Sequence, residues 1–128
     1  MTYPALPFVA APTTQPNYEV YFALGSDRLD SDASAVIAQA AAAFHNTHSS
    51  SLAVVGHADR TGTAAANLSL SERRAQNVAA ALMRAGIPGN AIFVSARGED
   101  RPVVPTPDNV PEPRNRRVTV VLGGGPTS

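Results

Sequence analysis

Apolar and polar positions alternate over Tyr18–Leu24 (YEVYFAL), a stretch rich in β-forming residues, and this predicts a first strand. The spacing then changes. Leu29, Ala33, Val36, Ile37, Ala40 and Phe44 recur at three- and four-residue steps, which gives one apolar face of an amphipathic helix, with Asp30 or Ser31 as its cap. A polar exit, His45–Ser51, leads to an almost continuous apolar run from Leu52 to about His57, the pattern of a strand buried on both sides or central in a sheet. Leu70, Ala75, Val78, Ala79 and Leu82 supply the inward face of a second helix, which Gly86-Ile87-Pro88-Gly89 ends. Ala91–Ala96 reads as a third strand and Arg116–Leu122 as a fourth. Strand–helix–strand–helix–strand–strand implies an α/β (α+β) sandwich with both helices on one face of the sheet. The first two strands, joined by a helix, should be parallel neighbours or near-neighbours.

Proline marks the segments between and before these elements. Residues 1–17 carry four prolines and read as a linker, with Tyr3, Leu6 and Phe8 as the residues that could instead dock on the domain. Five prolines within residues 99–114 mark a long surface loop, and residues 123–128 read as a flexible tail. One domain, residues 18–122, therefore remains, as the 128-residue length suggests.

Composition changes this picture in a few places. Ten basic and ten acidic side chains give zero formal charge, so no overall field favours nucleic acid or an anionic membrane. No run of about 18 apolar residues exists, so this chain is not expected to insert in a membrane. The start lacks the basic end and long apolar run of a secretory signal, which suggests a fragment of a longer, exported parent. There is no cysteine, hence neither thiolate chemistry nor a cysteine-held metal.

The chemistry concentrates in Leu52–Leu82: a strand, a turn holding Asp59, and a helix carrying Arg74 near its start. A carboxylate and a guanidinium at one sheet end can form a structural ion pair or hold a small zwitterion, helped by the anion-attracting N–H groups of a helix start. Other chemistries find less support. His57-x-Asp59 lies near Ser69 and Ser71, but no G-x-S-x-G elbow exists, so no catalytic residue is assigned. His45 and His48 lack a third ligand at metal spacing, so neither a metal nor another cofactor is expected. Ser71 does not open a capping box, because Arg74 stands where a Glu would. Arg73 points about 100° from Arg74 and reads as a solvated charge.

The blocks Gly56-His57-x-Asp59-x-x-Gly62 and Asn67-x-x-Leu70-Ser71-x-x-Arg74-Ala75-x-x-Val78 resemble the OmpA-like peptidoglycan-binding domain of OmpA-type proteins, Pal lipoproteins and flagellar stator anchors. Gly98-Glu99 with Pro102, Asn115-Arg116-Arg117-Val118, and the opening Val20–Leu24 with Gly25-Ser26 extend the resemblance over residues 18–122. Ala58 replaces the usual threonine, which removes a hydroxyl and leaves the charges intact. The resemblance implies a mixed four-stranded sheet and non-catalytic binding of peptidoglycan through meso-diaminopimelate of the stem peptide. Its ammonium would meet Asp59 and its carboxylate Arg74. Asn67 would orient the ligand or brace the turn, and Thr61 would shape the backbone. The amides around Ser26 and Asp27 would receive stem-peptide carboxylates, unless that stretch is an ordinary turn. Arg116 and Arg117 alternate across a strand, so only one can face the pocket; Arg117 is assigned to it. The resemblance further implies a periplasmic place at the cell envelope, any lipid anchor lying upstream of Met1, and room for a homodimer through the parent protein. A wall hydrolase, or an interaction module that no longer binds peptidoglycan, are the alternatives.

Overall fold

The computed structural model describes residues 17–59, 61–98 and 112–123. Its elements are β1 (Asn17–Tyr21), α1 (Ser31–Asn46), β2 (Leu52–His57), α2 (Ala64–Arg84), β3 (Ile92–Gly98) and β4 (Arg117–Leu122), with short 3-10 turns at Gly89–Ala91 and Pro113–Asn115. The strands form one mixed sheet in the order β1-β4-β2-β3. β4 runs antiparallel to both β1 and β2, while β2 and β3 are parallel. Thus β1 and β2 are parallel near-neighbours with β4 inserted between them, and the loops that follow them emerge at the same end.

Both helices cover one face. Val20, Ile37, Phe44, Leu52, Val54, Val78, Leu82, Val118, Val120 and Leu122 form the buried core, each burial contributing about 1.5–3 kcal/mol. Gly56 sets how closely α2 approaches β2. A Cβ at Gly56 would stand 2.1 Å from the Ser71 carbonyl oxygen and 3.2 Å from the Ala75 Cβ, so no larger residue fits. The Asp30 carboxylate caps α1 by accepting from the Ala33 N–H at 2.8 Å. The Thr63 hydroxyl caps α2 by accepting from the Ala66 N–H at 3.1 Å. α2 ends in a Schellman turn: the Gly86 N–H donates to the Met83 carbonyl, Gly86 adopts φ +100°, and the N–H of buried Ile87 donates to the Leu82 carbonyl.

Several boundaries differ from the sequence reading: Asn17, read there as the end of the linker, opens β1, and β4 begins at Arg117 rather than Arg116. β1 stops at Tyr21 instead of Leu24, because the next carbonyls are taken by arginine side chains: Phe22 accepts from Arg116 and Ala23 from Arg74. α2 starts at Ala64, so Arg74 is its eleventh residue (64 to 74) rather than part of its first turns. β3 covers Ile92–Gly98, the residues before it being a 3-10 turn. The linker over residues 1–16, the loop with Glu99 and Pro102, and the tail from 124 lie outside the described residues.

Candidate functional site

The parallel arrangement brings the β1–α1 loop and the β2–α2 turn to one end of the sheet, and Asp59 sits between them, 3% exposed. Its carboxylate is held on both oxygens. Oδ1 accepts from the Thr61 hydroxyl at 2.6 Å and the Thr61 N–H at 3.2 Å. Oδ2 accepts from Arg116 Nη1 at 3.0 Å and the Glu112 N–H at 3.2 Å. Burial alone pushes the carboxyl pKa up, but the Thr61, Arg116 and Glu112 hydrogen bonds outweigh it and hold the group below its ordinary value. Asp59 is therefore a carboxylate at neutral pH.

Arg74 is fully buried and reaches from the middle of α2 back to three backbone carbonyls. Nε donates to Ser26 at 2.8 Å, Nη1 to His57 at 3.1 Å and Nη2 to Ala23 at 3.2 Å. Its guanidinium carbon stands 5.1 Å from the centroid of the buried Phe22 ring. Burial lowers its pKa to about 10; nearby Asp59 opposes this and nearby Arg116 reinforces it. It remains a cation at neutral pH. Arg74 thus ties the β1–α1 loop to the end of β2, and two neighbours on α2 complete the tie. Asn77 Nδ2 donates to the Asp27 carbonyl at 2.8 Å, and Arg73 Nε pairs with the Asp27 carboxylate at 3.2 Å. Arg73 is accordingly not merely solvated; it bonds Asp27 and the Ser69 hydroxyl.

The remaining assigned residues separate into neighbours of Asp59 and one that faces elsewhere. Thr61 is the side chain that fixes the Asp59 carboxylate. Gly62 follows at φ +78°, a left-handed conformation that glycine adopts without strain, with Asn67 Oδ1 3.9 Å from where a Cβ would stand. Asn67 is buried at the start of α2, next to that turn. Ser26 contributes its carbonyl to Arg74 and its hydroxyl oxygen to the Arg28 N–H at 3.1 Å. Ser71 donates its hydroxyl to the Leu68 carbonyl at 2.7 Å, and its own carbonyl lies against Gly56.

Arg117 is the correction. Side chains alternate along β4, and Val118, Val120 and Leu122 face the helices. Arg116 shares their face and reaches Asp59, whereas Arg117 shares the opposite face with Thr119, beside Glu19. There its Nε lies 3.5 Å from the Glu19 carboxylate, and Thr119 donates to the same oxygen at 2.9 Å. The guanidinium that joins the site is Arg116. The alternation that separated the two arginines also held the signal for choosing between them, because Val118 has to face the core.

This end of the sheet thus gathers a buried carboxylate that accepts four hydrogen bonds, one of them from Arg116, and a second guanidinium, Arg74, within electrostatic reach of it. The sequence model of the OmpA family matches residues 21–116, three quarters of the chain. The chain belongs to the OmpA family. Relatives include an outer membrane protein of Gluconacetobacter diazotrophicus, 37% identical, with the match covering 88% of this chain and 31% of the relative. The peptidoglycan-associated lipoprotein of Rhizobium meliloti is 32% identical, covering 82% of this chain and 60% of the relative. Among solved structures, the peptidoglycan-associated lipoprotein of Burkholderia pseudomallei superposes with TM-score 0.74 at 27% identity, over 82% of this chain and 89% of that one. The chain thus spans less than two thirds of these two curated relatives. Among the described residues, no helix of this OmpA-family chain is long and apolar enough to cross a membrane.

Proposed function

We propose that residues 17–122 form a non-catalytic module that binds cell-wall peptidoglycan through the diaminopimelate of the stem peptide, residues 1–16 serving as its linker. The chain then anchors a longer parent to the wall from the periplasmic side of the outer membrane. The observation that carries this reading is Asp59 at the end of β2, flanked by Arg116 and within electrostatic reach of Arg74. The free end of a diaminopimelate side chain carries an ammonium and a carboxylate. Asp59 complements the first, and the positive charge of Arg116 and Arg74 complements the second. Asp59 is one negative group against two positive ones, so a zwitterion leaves the site better balanced than a cation does. Thr61 fixes the carboxylate, Asn67 borders the turn, and Ser26 and Asp27 present the loop backbone from the other side. The names of relatives that are peptidoglycan-associated lipoproteins support the same partner.

One observation favours a second reading. Each Asp59 oxygen already accepts two hydrogen bonds, a saturation that suits an interaction module in which the carboxylate only braces the turn. Sedimentation with insoluble diaminopimelate-type sacculi separates the two. The protein is expected to pellet with the sacculi and Asp59→Asn to remain in the supernatant. A wild-type protein that stays soluble would establish the second reading instead.

A further inference from the structure

The contacts of Asp59 imply that a ligand's ammonium cannot simply be added to it. A carboxylate has about four lone-pair positions, and the Thr61 hydroxyl and N–H, the Glu112 N–H and Arg116 Nη1 fill them. The Asp59 side chain is 4% exposed and the Arg116 side chain 12%. An incoming cation has to take the place of one of these donors. Thr61 is adjacent in the turn and donates twice to one oxygen, and Glu112 donates from its backbone. Arg116 is the exchangeable one: it meets Asp59 with a single nitrogen at the end of a long side chain, while its Nε keeps a second anchor on the Phe22 carbonyl at 3.0 Å.

We infer that Arg116 is a specificity-determining residue, a resident cation on Asp59 that a ligand's ammonium must displace. This rests on the stem-peptide reading and deepens it. The consequence lies in what happens to the displaced guanidinium. If the ligand brings only an ammonium, as a lysine side chain does, Arg116 loses its carboxylate in a largely buried place and gains no replacement. Losing one partner of such a pair is costly because the remaining charge stays desolvated. If the ligand brings an ammonium and a carboxylate together, the carboxylate accepts from Arg116 as the ammonium takes Asp59. One ion pair opens into two, and no charge is left uncompensated. Arg74 adds to this selection without being exchanged, since its carbonyl bonds hold it in place as a second positive charge near the incoming carboxylate. Discrimination between a zwitterion and a simple cation then arises from the resident pair itself.

The test is calorimetric titration of the wild type and Arg116→Gln with two soluble stem peptides that differ only in carrying diaminopimelate or lysine. In the wild type the diaminopimelate peptide binds more tightly. In Arg116→Gln the ratio narrows by about threefold or more, because the lysine peptide no longer strands a guanidinium and the diaminopimelate peptide loses an acceptor-matched donor. Arg116→Lys, which keeps a cation but not the fork, gives an intermediate ratio and carries the test if the glutamine variant does not fold. An unchanged ratio, with both peptides weakened alike, overturns the inference and makes Arg116 a brace for Asp59. Failure of the wild type to bind either peptide overturns the stem-peptide reading itself.

Discussion

Arg116 and Arg117 are adjacent in sequence and sit in opposite environments. Arg116 lies on the helix side of the sheet and bonds a buried carboxylate through a nitrogen 3.0 Å away, with a second bond to a loop carbonyl. Arg117 lies on the other face, where its nearest carboxylate, Glu19, is 3.5 Å away and already accepts from Thr119. Both Arg117 and Asp59 feel burial, but only Asp59 has enough partners to overturn it: burial keeps the Arg117 pKa below its usual value despite Glu19, while hydrogen bonds hold Asp59 below its own. A buried charge becomes useful for recognition where several fixed donors or acceptors converge on it. One neighbouring charge at a loose distance does not achieve this.

The comparison can be broken most severely at Arg74, which frames the helix-side end. Arg74→Ala removes three donors from the carbonyls of Ala23, Ser26 and His57. Of these the His57 bond is buried, Ser26 is half-buried, and the exposed Ala23 carbonyl keeps the Ser26 N–H. A buried acceptor left without a partner costs about 1–3 kcal/mol, and the cavity left by the side chain adds to it, so the variant is expected to melt well below wild type. A melting temperature close to wild type would show that the β1–α1 loop does not depend on Arg74. Gly56→Ala comes next, since its methyl group would clash with the Ser71 carbonyl. Overpacking of this kind costs about 1–3 kcal/mol, which in a domain of this size lowers Tm by several degrees; an unchanged Tm would mean that α2 can move outward.

The two arginines themselves give a smaller, sharper contrast. Arg117→Gln should leave stem-peptide affinity within about twofold of wild type, because Arg117 faces away from Asp59. Arg116→Gln should change it, and equal responses of the two variants in the same titration would contradict the division of faces. Acid sensitivity sharpens the contrast further. The folded-state pKa of Asp59 is lowered from 3.8, so its stabilisation is complete above that value and is lost as pH falls through the depressed folded value. Asp59→Asn should flatten stability against pH in that window alone, as followed by urea midpoints at successive pH values. Among the stability changes the smallest expected is for Thr63→Ala, which loses the α2 cap at about 1 kcal/mol.

Much of this was legible in the sequence, and the misses share one physical origin. The six elements follow from periodicity, because burial on one side imposes two-residue spacing on strands and three- to four-residue spacing on helices. β2, legible as Leu52 to about His57, spans Leu52–His57, because it is central and apolar on both faces. Asp59 was legible from its place in a turn after a buried strand. What the pattern could not give was which side chains satisfy loop backbone. β1 looked longer than it is because the alternating pattern runs on through Phe22 to Leu24, yet the Phe22 and Ala23 carbonyls accept from Arg116 and Arg74. The sequence offers Arg74 as a ligand contact but carries no local signature of its three carbonyl bonds, to residues up to 51 positions away. The choice of Arg117 over Arg116 was within reach, because the strand's alternation fixes it once Val118 is placed in the core.

The central claim is that Asp59 is a cation-accepting carboxylate for a zwitterionic stem-peptide group. The most direct measurement is titration of wild type and Asp59→Asn, at matched folded fractions, with a diaminopimelate-containing stem peptide. Asparagine keeps the shape and removes the charge, and losing one partner of a desolvated charged contact costs about 2–5 kcal/mol. Wild type is expected to bind saturably, and Asp59→Asn well over tenfold more weakly. Equal affinity of the two proteins for that peptide would contradict it.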